Sequence, residues 1–140
     1  MRDVLRFITS DDEAHLRHEV LRLTYSPGDT ILREGTTGDV LVLIRRGRVR
    51  MESRLACRTV VGELYAGELF GESCLVGEEA PVSFVALDEV EVDLVPRVVL
   101  EARMCVDATF ETRLYRSLTW ALAGRVRAVS DVLVPSLALV

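Results

Sequence analysis

The sequence predicts a mainly β fold, a compact barrel or roll of short strands with helices at its two ends. Three observations point there. Short apolar segments follow one another between positions 20 and 94, closed by Gly, Pro and Asp turn residues. A helix-start pattern precedes them, and at Asp107 the pattern changes to helical periodicity. At 140 residues, 49% hydrophobic and 28% charged, the chain fits one globular domain able to bury a sizeable core.

Ser10 precedes Asp11, Asp12 and Glu13, an S-x-x-E capping box with acids in the first turn. A helix of about two turns should end near His18 or Glu19. Val20 to Tyr25 reads as a strand. Ser26-Pro27-Gly28-Asp29 then suits a type II turn, with Gly28 accepting the positive φ. Thr30 to Arg33 is a brief strand ended by Glu34-Gly35. Val40 to Ile44 is an unbroken apolar run of buried-strand length. After Gly47, the residues from Arg48 to Glu52 alternate as in a half-buried strand, and Thr59 to Leu64 is another. Ser83 to Leu87 and Val90 to Leu94 complete the run. In the last, Val90, Val92 and Leu94 should face inward, and Glu91 and Asp93 water.

From Asp107 to about Val129 a long helix is expected. Leu114, Leu118, Leu122 and Val126 recur every four residues, with Ala121 and Val129 widening the stripe. Arg113, Arg116, Arg125 and Arg127 lie mostly off it, and only Gly124 weakens the helix. The roll and its N-terminal helix then occupy 1–106, and 107–140 supplies the C-terminal helix and an apolar tail.

Composition removes several function classes. A net charge of −5 argues against a general nucleic-acid binder. No apolar run approaches the roughly 20 residues of a membrane span. The first twelve residues hold acids and no long apolar core, unlike a signal peptide, so a cytoplasmic location is expected. Cys57, Cys74 and Cys105 form no CxxC pair, so they read as reduced, mostly structural thiols. Cys74, at a helix start, has a second reading as a redox thiol. His15 and His18 are the only histidines and lie off the strands. They leave no cupin-like metal site and no Ser–His or Cys–His nucleophile, so no enzyme and no metal are expected.

The most informative segment is Gly67-Glu68-Leu69-Phe70-Gly71-Glu72-Ser73-Cys74-Leu75, with Ala80-Pro81-Val82-Ser83 after it. Pro27-Gly28-Asp29, Ile31-Leu32, Glu34-Gly35, Gly38-Asp39, Leu41 to Ile44 and Gly47 precede it in order. This set resembles the cyclic-nucleotide-binding domain family, which includes catabolite activator protein and the protein kinase A regulatory subunits. The resemblance implies an eight-stranded antiparallel, jelly-roll-like β-roll with a short N-terminal helix, a short helix in the phosphate-binding cassette (67–83) and a long C-terminal hinge or dimerisation helix. It implies a ligand site of Phe70, Gly71, Glu72, Ser73, Cys74, Val82 and Ser83. Glu72 would accept from a ribose 2′-hydroxyl and Ser83 would donate to the phosphate. Physically, a buried phosphate needs donors in place of water, and Gly71 opening a helix with free N–H groups would supply them.

The sequence departs from that pattern where it matters most. The family's phosphate-binding arginine should stand at position 82, which is Val82, and Phe84 replaces a small residue. Losing such a partner costs on the order of 2–5 kcal/mol, roughly 30- to several-thousand-fold in affinity. cAMP, cGMP or another small nucleotide-like ligand are the candidate occupants. A neutral metabolite, or a pocket packed shut by Val82 and Phe84, fits equally. Arg54 and Arg58 flank a hairpin that could approach the pocket mouth and lend a charge, although hairpin charges are usually solvated. Glu72 reads either as a ligand acceptor or as a helix-start carboxylate, and Ser83 also reads as a hydroxyl bonded to backbone.

The terminal helix either folds back on the roll or pairs with its copy. The second reading gives a homodimer through Leu114, Leu118, Trp120, Ala121, Leu122 and Val129, with the tail docking on the protein or a partner. The residues after Ser130 are too few and carry no basic side chain for two DNA-reading helices, so direct DNA binding is not expected. Two functions remain: a ligand-sensing regulatory module, or a ligand-free scaffold acting through its helix.

Overall fold

The computed structural model describes residues 1–54 and 59–138, and among these eight antiparallel strands build two four-stranded sheets. In one, β1 (Leu21–Tyr25) lies beside β8 (Val90–Pro96), then β3 (Val40–Arg46), then β6 (Leu69–Phe70). In the other, β2 (Thr30–Leu32) lies beside β7 (Ser83–Ala86), then β4 (Arg48–Ser53), then β5 (Thr59–Tyr65). The expected mainly β roll is therefore present. The Ser26–Asp29 turn closes as its residues require, with Gly28 at φ 89° and the Asp29 N–H donating to the Ser26 carbonyl at 3.0 Å.

Two cores explain the strand sequences. Val42 and Ile44 of β3 face into the roll with Val49, Met51, Leu64, Phe70, Phe84, Val90 and Val92. Leu41 and Leu43, of opposite parity, face a second core under the helices with Leu69 and Val95. The run is unbroken because both faces of β3 are covered.

The helical layer differs from expectation at several points. α1 (Ser10–Leu16) starts one residue earlier than read from Ser10: Thr9 is the cap, its hydroxyl accepting from Asp12 N–H while the Asp12 carboxylate accepts from Thr9 N–H. A 3₁₀ turn (Arg17–Glu19) finishes this helix. A further helix, α2 (Arg97–Val106), lies between β8 and the long helix and was not expected. Pro96 at its start, Leu100 and Met104 four apart, and Asp107 after its end are its local signals. The long helix α3 (Ala108–Ala138) runs beyond the expected end near Val129 and continues through Pro135. Asp93 does not face water. It is 4% exposed, accepts from Arg22 Nε at 2.9 Å and lies 3.7 Å from Arg45 Nε.

The dimerisation stripe also needs correction. Leu114 and Leu118 are buried in this chain's own second core, against Leu5, Leu16, Leu100 and Phe110, so they are not available to a partner. Ala121 and Leu122 are half-buried. Trp120 is 52% exposed but already meets Phe7 edge-on, with centroids 6.3 Å apart, and carries Arg6 4.4 Å above its ring. Val129 lies outside the residues whose side chains are described. No described helix is long and apolar enough to cross a membrane.

A buried ion pair anchors α3 to α1. Asp12 is fully buried, and Arg113 grips it through Nε at 2.8 Å and a terminal nitrogen at 2.7 Å. Burial alone would raise the Asp12 carboxyl. The Arg113 and Thr9 hydrogen bonds outweigh it and hold the group down at about 2.

Candidate cassette pocket

The segment after β5 turns back along β3 and presents its residues to the mouth of the roll. β6 ends at Phe70, and Gly71 follows at φ 87°. A side chain there would be strained, and its Cβ would fall 2.7 Å from the Val40 carbonyl oxygen. Glycine thus lets the cassette close on β3, with or without a ligand. The expected cassette helix is a five-residue 3₁₀ turn, Glu72–Val76, ended by Gly77 at φ 70°. It is too short to present the ordered N-terminal amides and dipole expected of a helix. Two backbone hydrogen bonds, Ala80 N–H to Thr36 carbonyl and Gly35 N–H to Ala80 carbonyl, both 2.9 Å, hold the far end.

Beneath the cassette lies a cavity of about 200 Å³, lined by Leu32, Met51, Gly71, Glu72, Ser73, Ala80, Pro81, Val82, Phe84 and Arg125. Ligand sites usually enclose roughly 300–1,000 Å³, so this one is contracted. Phe84 is one cause. It stacks on Phe70 across the roll, with centroids 4.3 Å apart and planes 12° apart, and both rings are buried. The wall at 82 and 84 is wholly apolar.

Of the seven residues expected at the site, Gly71, Glu72, Ser73 and Val82 line this cavity. Phe70 stands behind Phe84. Cys74 is buried and absent from the lining, and burial pushes its thiol up, opposite to the shift a reactive thiolate needs. Ser83 is on the other side of the strand. Its Oγ accepts from Glu34 N–H at 2.9 Å, and it lines a separate cavity of about 130 Å³ with Arg54. The backbone-bonded reading of Ser83 is the one seen, and Arg54 is not at the cassette cavity; Arg58 lies outside the described residues. His15 and His18 are exposed, and among the described residues no His, Cys and acid cluster has metal-binding geometry.

The residue missed from sequence is Arg125. It reaches from α3 to the cassette, donates to the Leu69 carbonyl, and stands 3.5 Å from Glu72 Oε1. The other carboxylate oxygen, Glu72 Oε2, is buried and has no hydrogen-bond partner among the described residues. The signal was present: 114, 118, 121 and 125 follow helical spacing, so Arg125 falls on the buried stripe and not off it. Arg125 also borders a larger groove of about 540 Å³ between the N-terminal segment and α3, with Arg2, Asp3, Arg6, Glu68 and Trp120. That groove carries exposed arginines and, among the described residues, no buried side-chain group without a hydrogen bond, so the smaller cavity is the candidate site.

The model of the cyclic nucleotide-binding domain matches residues 22–104. A cyclic nucleotide-binding domain from Methylobacillus flagellatus is 20% identical with TM-score 0.84, the match covering 96% of this chain and 83% of that one. The N-terminal domain of a transcriptional regulator from Streptomyces coelicolor is 25% identical with TM-score 0.70, covering 94% and 91%. The catabolite activator protein of Thermus thermophilus is also 25% identical, with TM-score 0.72, covering 97% of this chain and 63% of that one.

Proposed function

Because the chain belongs to the cyclic nucleotide-binding domain family, a family of ligand-binding regulatory domains and not of enzymes, we propose that it senses a small ligand at the cassette cavity and reports occupancy through α3. The observation that carries this reading is Glu72: it lines the cavity, and its Oε2 is buried with no hydrogen-bond partner among the described residues. A buried carboxylate oxygen without a donor is costly, by about 1–3 kcal/mol or more, and a ligand hydroxyl would satisfy it. A carboxylate serving only as a cap would find its partners within the turn.

The ligand is smaller or less anionic than the cassette's general form would take. Val82 contributes no charge, so the cassette alone holds a cyclic phosphate about 2–5 kcal/mol more weakly than one with arginine there. α3 touches both the cavity, through Arg125, and the helical core, through Leu114 and Leu118, which supports it as the reporting element. A cytoplasmic location, and a homodimer through the outer face of α3 around Trp120 and Leu122, belong to the same proposal. Isothermal titration with cAMP and cGMP to millimolar concentration tests it, with Val82→Arg alongside. Saturable binding to either form supports an open ligand pocket. No heat from both proteins turns the reading to a ligand-free scaffold.

A further inference from the structure

We infer that Arg125 is the anion-recognition residue of the cassette cavity, supplied by α3 in place of position 82. The inference rests on the pocket reading above and names its ligand class: a small organic anion carrying hydroxyl groups, of the sugar-phosphate kind. Among the described residues lining the cavity, Arg125 is the one cation and Glu72 the one anion. Their separation, 3.5 Å between Nη1 and Oε1, is an ion pair without hydrogen-bond geometry. Among the described residues, the guanidinium's one hydrogen bond goes to the Leu69 carbonyl. Of its five N–H donors, most are therefore uncommitted, and their planar fork matches a phosphate or carboxylate.

The two residues divide the work. Glu72 takes a ligand hydroxyl on its unbonded oxygen, and Arg125 takes the ligand's negative charge, which would otherwise face Glu72 in an apolar cavity. With its side chain 20% exposed, Arg125 is shielded enough for the pairing to matter. Because Arg125 belongs to α3, the anion can be held tightly only while α3 lies against the roll.

Trp120, the one tryptophan of the chain, stands five residues before Arg125 on the same helix and reports its position. The test compares wild type, Arg125→Gln and Val82→Arg by titration calorimetry and Trp120 emission. The probes are cAMP, its uncharged counterpart adenosine, and ribose 5-phosphate. Expected for Arg125→Gln is a loss of at least about 30-fold for whichever anion binds wild type, with adenosine affinity unchanged within about threefold. The anion-dependent change in Trp120 emission should vanish with it. Equal anion affinity in wild type and Arg125→Gln overturns the inference and leaves the pocket standing. So does equal loss for adenosine and the anions, which marks a packing role. Anion binding by Val82→Arg but not by wild type also overturns it while keeping the pocket. Failure of all three proteins with all probes removes the pocket reading, and the inference with it.

Discussion

Replacing Asp12 with Asn tests whether one buried ion pair fixes the base of α3. The carboxylate is fully buried and accepts from Arg113 at 2.8 and 2.7 Å and from Thr9 N–H at 2.9 Å, with Arg103 3.6 Å away. Asn keeps the shape but removes the charge and turns an NH₂ toward cationic donors. Breaking a buried pair costs about 3–5 kcal/mol. Arg113 is one-quarter exposed and retains Asp107 at 3.1 Å, which argues for the lower end, about 3 kcal/mol. For a chain of this size that is roughly a 10 °C fall in Tm. The pH dependence provides a second check. With the folded carboxyl at about 2 and the ordinary value at 3.8, Asp12 contributes stability that is complete above the ordinary value and is lost as pH falls toward 2. The shift corresponds to about 2 kcal/mol, of which about 1 kcal/mol is gone by pH 3. Urea melts of both proteins between pH 6 and 3, followed by circular dichroism, should show their stabilities converging as pH falls. A cost below about 1 kcal/mol at pH 6, or a gap that does not narrow, would refute the reasoning.

Two further outcomes are expected. Gly71→Ala should destabilise the protein by at least about 2 kcal/mol in urea melts, combining left-handed strain with a Cβ 2.7 Å from the Val40 carbonyl. Gly77→Ala, strained but meeting nothing within 4 Å, should cost about 1 kcal/mol, and equal costs would remove the close-approach argument. Cys105 is exposed and Cys74 buried with its thiol pushed up, so Ellman's reagent with peptide mapping should label Cys105 first and Cys74 only on unfolding. Rapid native labelling of Cys74 would contradict its burial.

Seven of the eight strands, all but the two-residue β6, were legible because their signals are local: Gly28 and Gly47 punctuate them, and Val49 and Met51 alternate. What escaped depends on partners distant in sequence. Asp93 reads as a solvent-facing acid from alternation alone, since Arg22 and Arg45, which neutralise it, sit on other strands. Arg125 reads as lying off the apolar stripe because its partners, Leu69 and Glu72, lie more than fifty residues away. Ser83 could have been placed from parity: neighbouring strand positions face opposite ways, so Val82 and Phe84 at the cavity turn Ser83 from it. Leu114 and Leu118 show a limit of periodicity, which marks an apolar stripe without saying whether its own chain or a second one covers it.

Val82, Phe84 and Arg125 make physical sense together. Val82 and Phe84 make the cassette wall apolar, and the Phe70–Phe84 stack tightens the roll beneath it. A cassette with so apolar a wall offers no cation of its own to an anion. On the proposal above the cation comes from α3, which changes what binding requires. With the charge partner on the cassette, a ligand could be held whatever the helix did. With it on α3, helix docking raises ligand affinity, and by reciprocity ligand binding favours docking by the same factor. Two linked contacts then do opposite jobs. The Asp12–Arg113 pair holds the first turns of α3 regardless of ligand, while Arg125, three turns later, is held by one carbonyl and a loose ion pair. A helix fixed at its base and weakly held at the cavity is one whose far end a small anion can shift.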